Sequence, residues 1–241
     1  MKLLFSRTLL LFMVGALFQT ACTSPKQGDA PRVVHLLKPE NFYPYLRDLG
    51  ANNDPDHVFT WEKGVLHISG QHYGYLATKQ TNFSNYKLVA EFKWGEKTWS
   101  PRAGNARDSG ILVHFVGKDG VWPKSIECQM IEGGTGDILV VSGAKLTVDG
   151  KTKGPQIERF DRPGRNPWKD EAGFRGPHEI ENPHGEWNTI ELIADKDLIS
   201  ISVNGHTTLT GTNATPNAGK ILVQSEGAEV FFRRLDLYPL R

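Results

Sequence analysis

Short runs of alternating apolar and polar residues dominate the chain from Phe59 onward. Such alternation places apolar side chains on one face of a strand and polar side chains on the other. About a dozen runs occur, separated by tight turns that include Asp149-Gly150 and Asn204-Gly205, and no segment shows a convincing helical period. The pattern predicts an all-β fold: an antiparallel jelly-roll β-sandwich with long loops, whose two sheets bury one core.

Two stretches lack this pattern: one precedes it and one lies within it. Residues 41–56 are rich in Asn, Asp, Pro and aromatic residues, and they are predicted to form a loop with one helical turn. Residues 151–185 contain many prolines and glycines and show no periodicity. A loop of this length inside a compact domain is usually functional, so we expect it to act as a lid or to carry binding residues.

One predicted strand carries unusual chemistry on its polar face. Residues 125–132 read SIECQMIE, so Glu127 and Gln129 point to the same side, with no Lys or Arg between them. Glu132 would point to the opposite side of a regular strand, and we expect a β-bulge to bring it back. Because cleavage of a glycosidic bond requires two carboxyl groups, Glu127 and Glu132 are predicted to be base and acid, in either order. The Gln129 amide is expected to hold the sugar or one of the acids.

The N-terminus has the pattern of an export signal. A basic start with Lys2 and Arg7 precedes an apolar run that is too short to span a membrane, and a small residue precedes Cys22. We predict a lipoprotein signal peptide over residues 1–21, lipidation of Cys22, a tether over residues 22–40 and a folded domain over residues 41–241. The protein is then expected in a bacterial cell envelope, facing the periplasm or the surface and held only by its lipid anchor. An ordinary secreted protein cut nearby is the alternative.

The charge of the chain argues against one class of partner, and its cysteine content argues against a disulfide. The basic residues are scattered and matched by acids, with a net charge of +1, which argues against nucleic-acid binding. If Cys22 is lipidated, Cys128 has no disulfide partner, and its apolar parity predicts a buried, inert thiol.

No cofactor is expected, since no ligand motif is present. A divalent ion between His114 and Glu127 stays open as the lesser hypothesis.

Five further segments carry a resemblance to a known family. They are residues 73–79 (YGYLATK), 107–114 (RDSGILVH), 122–129 (WPKSIECQ), 186–188 (EWN) and 219–227 (GKILVQSEG). Together they resemble the 3-keto-disaccharide hydrolase domain family over roughly residues 35–241. The resemblance implies a concanavalin A-like jelly roll that acts on carbohydrate, specifically on glycosides oxidised to a ketone at C3. The 127–132 pattern also resembles laminarinase-type β-glucanases, which carry Asp where this chain has Gln129.

The chemistry of a C3 ketone explains why such a substrate suits this strand. The ketone acidifies the proton on C2, so a base can remove it, the C1 substituent can leave, and water can add to the enone. This route requires a base, an acid and a donor to the enolate oxygen, but no nucleophile against C1. The neutral Gln129 cannot tune the flanking acids as Asp does, which disfavours a conventional retaining glycosidase. That glycosidase and a non-catalytic carbohydrate-binding module stay open as alternatives.

The remaining candidates come mostly from the segments that carry the resemblance. His114 shares the parity of Gly110 and is a candidate acid–base group, while Asp108 is expected to shape the cleft or to cap a turn. Other side chains are candidates to donate to a sugar or enolate oxygen, or to stack on a sugar, with surface or core packing as the alternative. The donors are Lys79, Arg107 and Lys124, and the aromatic groups are Tyr75, Trp94, Trp99 and Trp122.

Overall fold

The computed structural model describes residues 32–240. This part of the chain contains eighteen β-strands and a single 3-10 turn at Pro39–Asn41, which confirms the all-β prediction. The strands are β1 Val34–His35, β2 Phe42–Leu46, β3 Gly50–Ala51, β4 Phe59–Glu62, β5 Val65–Ile68, β6 Gly74–Thr78, β7 Tyr86–Thr98, β8 Asp108–Phe115, β9 Ser125–Ile131, β10 Ile138–Val141, β11 Lys145–Val148, β12 Lys151–Lys153, β13 Glu158–Phe160, β14 Asn188–Asp195, β15 Leu198–Val203, β16 His206–Thr215, β17 Lys220–Ser225 and β18 Ala228–Pro239. No helix within residues 32–240 is long and apolar enough to cross a bilayer. The predicted signal peptide and Cys22 lie outside the described residues.

The strands form two antiparallel sheets. The ten-stranded sheet has the order β12-β11-β16-β15-β14-β7-β18-β5-β4, with β1 beside β18. The eight-stranded sheet has the order β13-β10-β9-β8-β17-β6-β2-β3. Strands far apart in sequence, such as β8 and β17, are therefore neighbours, which is the connectivity expected of a jelly roll.

Alternation along each strand sorts the side chains between two environments. In β9, Ile126, Cys128 and Met130 are fully buried in the main apolar core, to which both sheets contribute. Glu127 and Gln129 consequently point to the opposite face of the eight-stranded sheet. The burial predicted for Cys128 is confirmed, and it raises the pKa of the thiol, which keeps the sulfur protonated and unreactive.

A second, smaller apolar cluster covers part of that opposite face, which we call the open face. Its members are Tyr43, Tyr75, Ala77, Leu112, Phe115 and Leu222, with Tyr45 and Trp122 packed against them. The loop of residues 116–124 between β8 and β9 crosses the cluster. It is held there because Asp119 Oδ1 accepts hydrogen bonds from Tyr43 Oη at 2.8 Å and from Tyr75 Oη at 2.7 Å. A depression opens on the open face on either side of this loop.

The turns and loops agree with the sequence predictions in part. The Asp149-Gly150 and Asn204-Gly205 hairpin turns are confirmed, since all four residues have positive φ, between 47° and 82°. The loop predicted for residues 41–56 is wrong over β2 and β3, which form strands there, with Phe42 and Leu46 of β2 in the core. The predicted tether over residues 22–40 is wrong at its end, because β1 pairs with β18. The long segment 151–185 is irregular except for β12 and β13.

Candidate active site

A cavity of about 250 Å³ opens on the open face beside β9. Three carboxyl groups line it: Asp108 at the start of β8, Glu127 on β9 and Glu226 directly after β17. Because β8 pairs with both β9 and β17, three neighbouring strands each deliver one carboxyl group to the same floor. We call this site the acidic cavity. Its walls include Trp122, Gln129, Ile157, Arg159 and Gln224.

Gly110 provides the space in which these side chains lie. It sits in β8 directly opposite Gln129. A Cβ atom at this position would stand 2.3 Å from Gln224 Oε1 and 2.5 Å from Glu127 Oε1. The Glu127 carboxyl group therefore lies over the bare backbone of Gly110, and any other residue would displace it.

Asp108 is held in a defined orientation and has the strongest cationic support of the three acids. Gln129 Nε2 donates to Asp108 Oδ1 at 2.5 Å, and Arg102 Nε lies 3.6 Å from Asp108 Oδ2. Burial raises the pKa of Asp108 to about 7, while Arg102, Arg159 and the Ser109 N–H favour the ionised form. The expectation that Gln129 holds an acid by its amide matches this contact.

Glu127 and Glu226 retain their protons to higher pH. Glu127 is only 2% exposed, and burial, followed by the charge of Asp108, raises the pKa of its carboxyl group to about 8. Burial and the charges of Asp108 and Glu127 raise the pKa of Glu226 well above its ordinary value. Like charges on one floor cannot all ionise together, so near neutral pH the cluster holds ionised and protonated carboxyl groups at once.

Glu132 lies outside the acidic cavity. The ladder between β8 and β9 runs without a register shift from Val113/Ile126 to Asp108/Ile131, so the predicted bulge is absent. The Glu132 carboxylate instead accepts hydrogen bonds from Arg107 Nη1 at 2.9 Å, Arg107 N at 2.9 Å and Gly173 N at 2.8 Å. The prediction that a bulge brings Glu132 beside Glu127 is wrong. Glu132 and Arg107 form a buried ion pair that fastens the long loop to the sandwich.

His114 also lies away from the carboxyl groups. The register between β8 and β17 shifts at this point, and His114 has a φ of +58°. This bulge turns the ring edge-on to Tyr86, with centroids 6.0 Å apart and Nδ1 3.2 Å from Pro216 O. Burial lowers the pKa of His114 to about 4, so the ring is neutral. His114 is therefore not placed to act as an acid or base in the acidic cavity, or to share an ion with Glu127. The described residues contain no cluster of His, Cys, Asp and Glu suited to a metal.

The three tryptophan candidates lie in three different environments. Trp122 lines the acidic cavity, as expected for a sugar platform. Trp94 belongs to the core, because it shares the parity of Phe92, against which it packs edge-on, and its indole donates to Glu181 Oε2 at 3.1 Å. Trp99 is partly exposed but does not line the acidic cavity.

The other binding candidates lie outside the acidic cavity. Tyr75 is on the open face but is fully buried under the 116–124 loop, which excludes stacking on a sugar. Lys79 lines the second depression of the open face, where its Nζ donates to Glu40 O at 3.0 Å. Lys124 does not line the acidic cavity, and Arg107 is engaged with Glu132.

Four important residues were missed from the sequence. Gln224 and Glu226 have the same parity as Leu222 in the segment GKILVQSEG, so period-two spacing places all three on one face of the strand. Arg159 lies on the short strand β13 and Arg102 in a polar loop, and in neither segment does the sequence show a periodicity that indicates which surface a side chain reaches.

The structure is similar to a candidate glycosyl hydrolase from Parabacteroides distasonis ATCC 8503, with a TM-score of 0.53 and 18% identity over 87% of this chain and 100% of that chain. It is also similar to a laminarinase from Flavobacterium sp. UMI-01, with a TM-score of 0.51 and 12% identity over 87% of this chain and 99% of that chain. At these identities the likeness shows the fold, and it confirms the concanavalin A-like jelly roll.

At the level of sequence, no curated protein matches the chain. A family model described as the 3-keto-alpha-glucoside-1,2-lyase-like domain matches residues 42–237. This match spans most of the chain and confirms the resemblance carried by the five segments. The chain therefore belongs to the 3-keto-alpha-glucoside-1,2-lyase-like family.

Proposed function

We propose that this protein cleaves glycosides whose sugar carries a ketone at C3, and that the acidic cavity performs an elimination across C1 and C2. The observation that carries the proposal is the convergence of Asp108, Glu127 and Glu226 on one floor, where ionised and protonated carboxyl groups coexist near neutral pH. The family description, a lyase acting on 3-keto-alpha-glucosides, supports the same substrate class.

Asp108 is the base in this proposal. Among the three acids it has an Arg102 guanidinium 3.6 Å away and a Gln129 amide donating to its Oδ1, and both contacts favour its carboxylate form. Asp108 takes the proton from C2, and the electrons of that C–H bond form the C1=C2 double bond conjugated with the ketone. A base whose pKa lies near the working pH suits such a transfer.

Glu127 is the acid. Its pKa of about 8 keeps it protonated at neutral pH. As the bond between C1 and the glycosidic oxygen breaks, Glu127 gives its proton to the leaving oxygen. Water then adds to C1 of the enone and loses a proton to Glu127, while Asp108, whose proton exchanges with solvent at the cavity before this step, delivers a proton to C2. The net reaction is hydrolysis, and both carboxyl groups end in their starting states.

Arg159 is suited to stabilise the enolate oxygen. It enters the cavity wall from β13, and its charge favours the ionised forms of both Asp108 and Glu127. A fixed cation at the position where negative charge develops is worth more in such a half-buried site than in water. Trp122 and Ile157, which is 54% exposed, provide apolar surface for the sugar ring.

The glucanase-like retaining glycosidase, with Glu127 and Glu132 as its two acids, is disfavoured by the position of Glu132. That reaction needs a second carboxyl group at a set distance from the first, and the residue expected from the spacing is bound to Arg107. The carbohydrate-binding module is disfavoured by the buried acids, because a site that only binds sugar gains nothing from carboxyl groups whose ionisation burial opposes.

The test compares α-glucosides with and without prior oxidation at C3, using the full chain. We expect release of methanol or p-nitrophenol only from the oxidised substrates. Release from the unoxidised forms at the same rate would establish the glycosidase, and binding without release would establish the module.

Two leaving groups then separate the two roles. With the oxidised methyl glucoside, both Asp108→Asn and Glu127→Gln should lower kcat by about 100-fold or more. With the oxidised p-nitrophenyl glucoside, which leaves without protonation, Glu127→Gln should recover most of its rate and Asp108→Asn should not. Equal losses of the two variants on both substrates would overturn these assignments.

A further inference from the structure

Gln224 is a buried amide in the wall of the acidic cavity that has no part in the elimination. It belongs to β17 and is only 1% exposed. Within residues 32–240, neither its Oε1 nor its Nε2 has a hydrogen-bond partner. Buried polar atoms of folded proteins nearly always have a partner, so an amide without one in a cavity wall points to a ligand.

Gln224 and Glu127 approach each other above Gly110. This glycine lies in β8, the strand between β17 and β9. A Cβ atom at Gly110 would stand 2.3 Å from Gln224 Oε1 and 2.5 Å from Glu127 Oε1, so the two oxygen atoms are at most about 4.8 Å apart. Burial and the charge of Asp108 raise the pKa of Glu127, and the nearby Gln224 amide opposes them. A small group that exchanges a proton with Glu127 therefore lies within reach of Gln224.

One water molecule can bridge two oxygen atoms at this separation, because each O–H···O hydrogen bond spans about 2.8 Å. Such a water donates one O–H to the Glu127 carboxylate and the other to Gln224 Oε1, and its lone pairs point into the cavity. The proposed reaction requires this arrangement at one step. After the aglycone has left, Glu127 is ionised, and water must present a lone pair to C1 while it gives a proton to Glu127.

An amide suits this position better than a second carboxyl group. Its carbonyl oxygen accepts a hydrogen bond but takes up no proton, so the proton of the water passes to Glu127 alone. The amide is also neutral. It adds no negative charge to Asp108, Glu127 and Glu226, a cluster in which burial and like charges already oppose ionisation.

Resting on the proposed function, we infer that Gln224 orients the water that adds to C1, and that it acts only in the hydration half of the reaction. The water oxygen forms the bond to C1 and one water proton passes to Glu127. The electrons of the C1=C2 double bond form the new C2–H bond with a proton from Asp108. Gln224 holds the second O–H, which remains on the C1 hydroxyl group of the product.

The test measures the two halves separately in the full chain. Methyl α-glucoside oxidised at C3 reports elimination through released methanol, and mass spectrometry distinguishes the enone from its hydrate by the mass of one water. The enone supplied alone reports hydration without elimination, after subtraction of its spontaneous hydration.

Gln224→Met keeps the length of the side chain and removes the amide. It should release methanol within about threefold of the natural rate and hydrate the enone at least about tenfold more slowly, because the nucleophile loses its orientation. It should unfold at no lower temperature than the natural protein, since an amide without a partner is replaced by an apolar chain. Gln224→Leu serves instead if the first variant is unstable. Gln80→Met, at an exposed glutamine outside the acidic cavity, should change neither rate.

Two results with Gln224→Met would overturn the inference: natural hydration of the supplied enone, or equal losses in methanol release and hydration, as a sugar-binding role requires. Failure of the natural protein to hydrate the supplied enone would overturn it as well, even where methanol is released. If no methanol is released, the proposed elimination fails, and the supplied enone still decides. Hydration that Gln224→Met slows at least about tenfold supports the inference, and hydration that it leaves unchanged refutes it.

Discussion

Replacing Gly110 by alanine tests how tightly the floor of the acidic cavity is built. The new methyl group would stand 2.5 Å from Glu127 Oε1 and 2.3 Å from Gln224 Oε1, whereas ordinary contact begins at 3.4 Å. Restoring contact therefore moves the two atoms by about 0.9 Å and about 1.1 Å if the backbone stays in place. Both atoms are ends of flexible side chains, so they move and the sheet persists.

The expected effect falls on catalysis more than on stability. A displacement of about 1 Å from the productive position can cost about 100-fold in rate, which corresponds to about 2.7 kcal/mol in activation free energy. Alanine favours a strand over glycine by about 0.5–1 kcal/mol, and overpacking costs about 1–3 kcal/mol, so the free energy of unfolding should change by less than about 2.5 kcal/mol.

The assay measures kcat/KM on a C3-oxidised α-glucoside together with thermal unfolding. Gly176→Ala is the matched control, because a Cβ atom there would meet nothing closer than 3.7 Å. A folded Gly110→Ala protein within about threefold of natural activity would refute the argument that Gly110 positions Glu127.

Four further outcomes follow from the same geometry. The pH profile of kcat/KM should be bell-shaped with limbs near pH 7 and pH 8, because Asp108 must be ionised and Glu127 protonated; a rate that is flat from pH 6 to 9 would contradict this. Burial raises the pKa of Glu127 above its unfolded value of 4.5, so its contribution to stability is lost as pH rises through about 8. Melting curves from pH 5 to 9 should therefore show a smaller loss of stability in Glu127→Gln. Glu132→Ala should lower the free energy of unfolding by about 3–5 kcal/mol in denaturant titrations, since it leaves Arg107 buried without its partner, yet the molecules that remain folded should still cleave substrate; unchanged stability would contradict the structural role. His114→Asn should keep kcat/KM and its pH limbs, because asparagine tolerates the positive φ and the ring touches no carboxyl group of the cavity; loss of one limb would return His114 to the mechanism.

The sandwich and the placement of the central strand were predictable because they depend on period-two alternation. Ile126, Cys128 and Met130 face the core, while Glu127 and Gln129 face the cavity, as the residue pattern of β9 requires. Gln224 and Glu226 obey the same rule, so their positions were available from the sequence even though they were overlooked.

The errors arise where the backbone leaves regular geometry. A bulge at His114 reverses the side expected from parity, whereas Glu132 follows a strand that has no bulge. Whether a strand accommodates an extra residue depends on its two neighbours, which the local sequence does not describe. Arg159 reaches the cavity from the short strand β13, which lies in a stretch whose sequence shows no periodicity, so only the packing of the whole domain reveals its place.

The central claim, that cleavage proceeds through removal of the C2 proton, is tested most directly by deuterium incorporation. A C3-oxidised α-glucoside would be cleaved in D2O and quenched early, and the released 3-keto sugar analysed by mass spectrometry and NMR, with the free 3-keto sugar incubated in parallel to correct for spontaneous exchange. The elimination and hydration route predicts one deuterium at C2 of each released molecule, beyond that background. Product that carries hydrogen at C2 would show direct displacement at C1 and would contradict the roles assigned to Asp108 and Glu127.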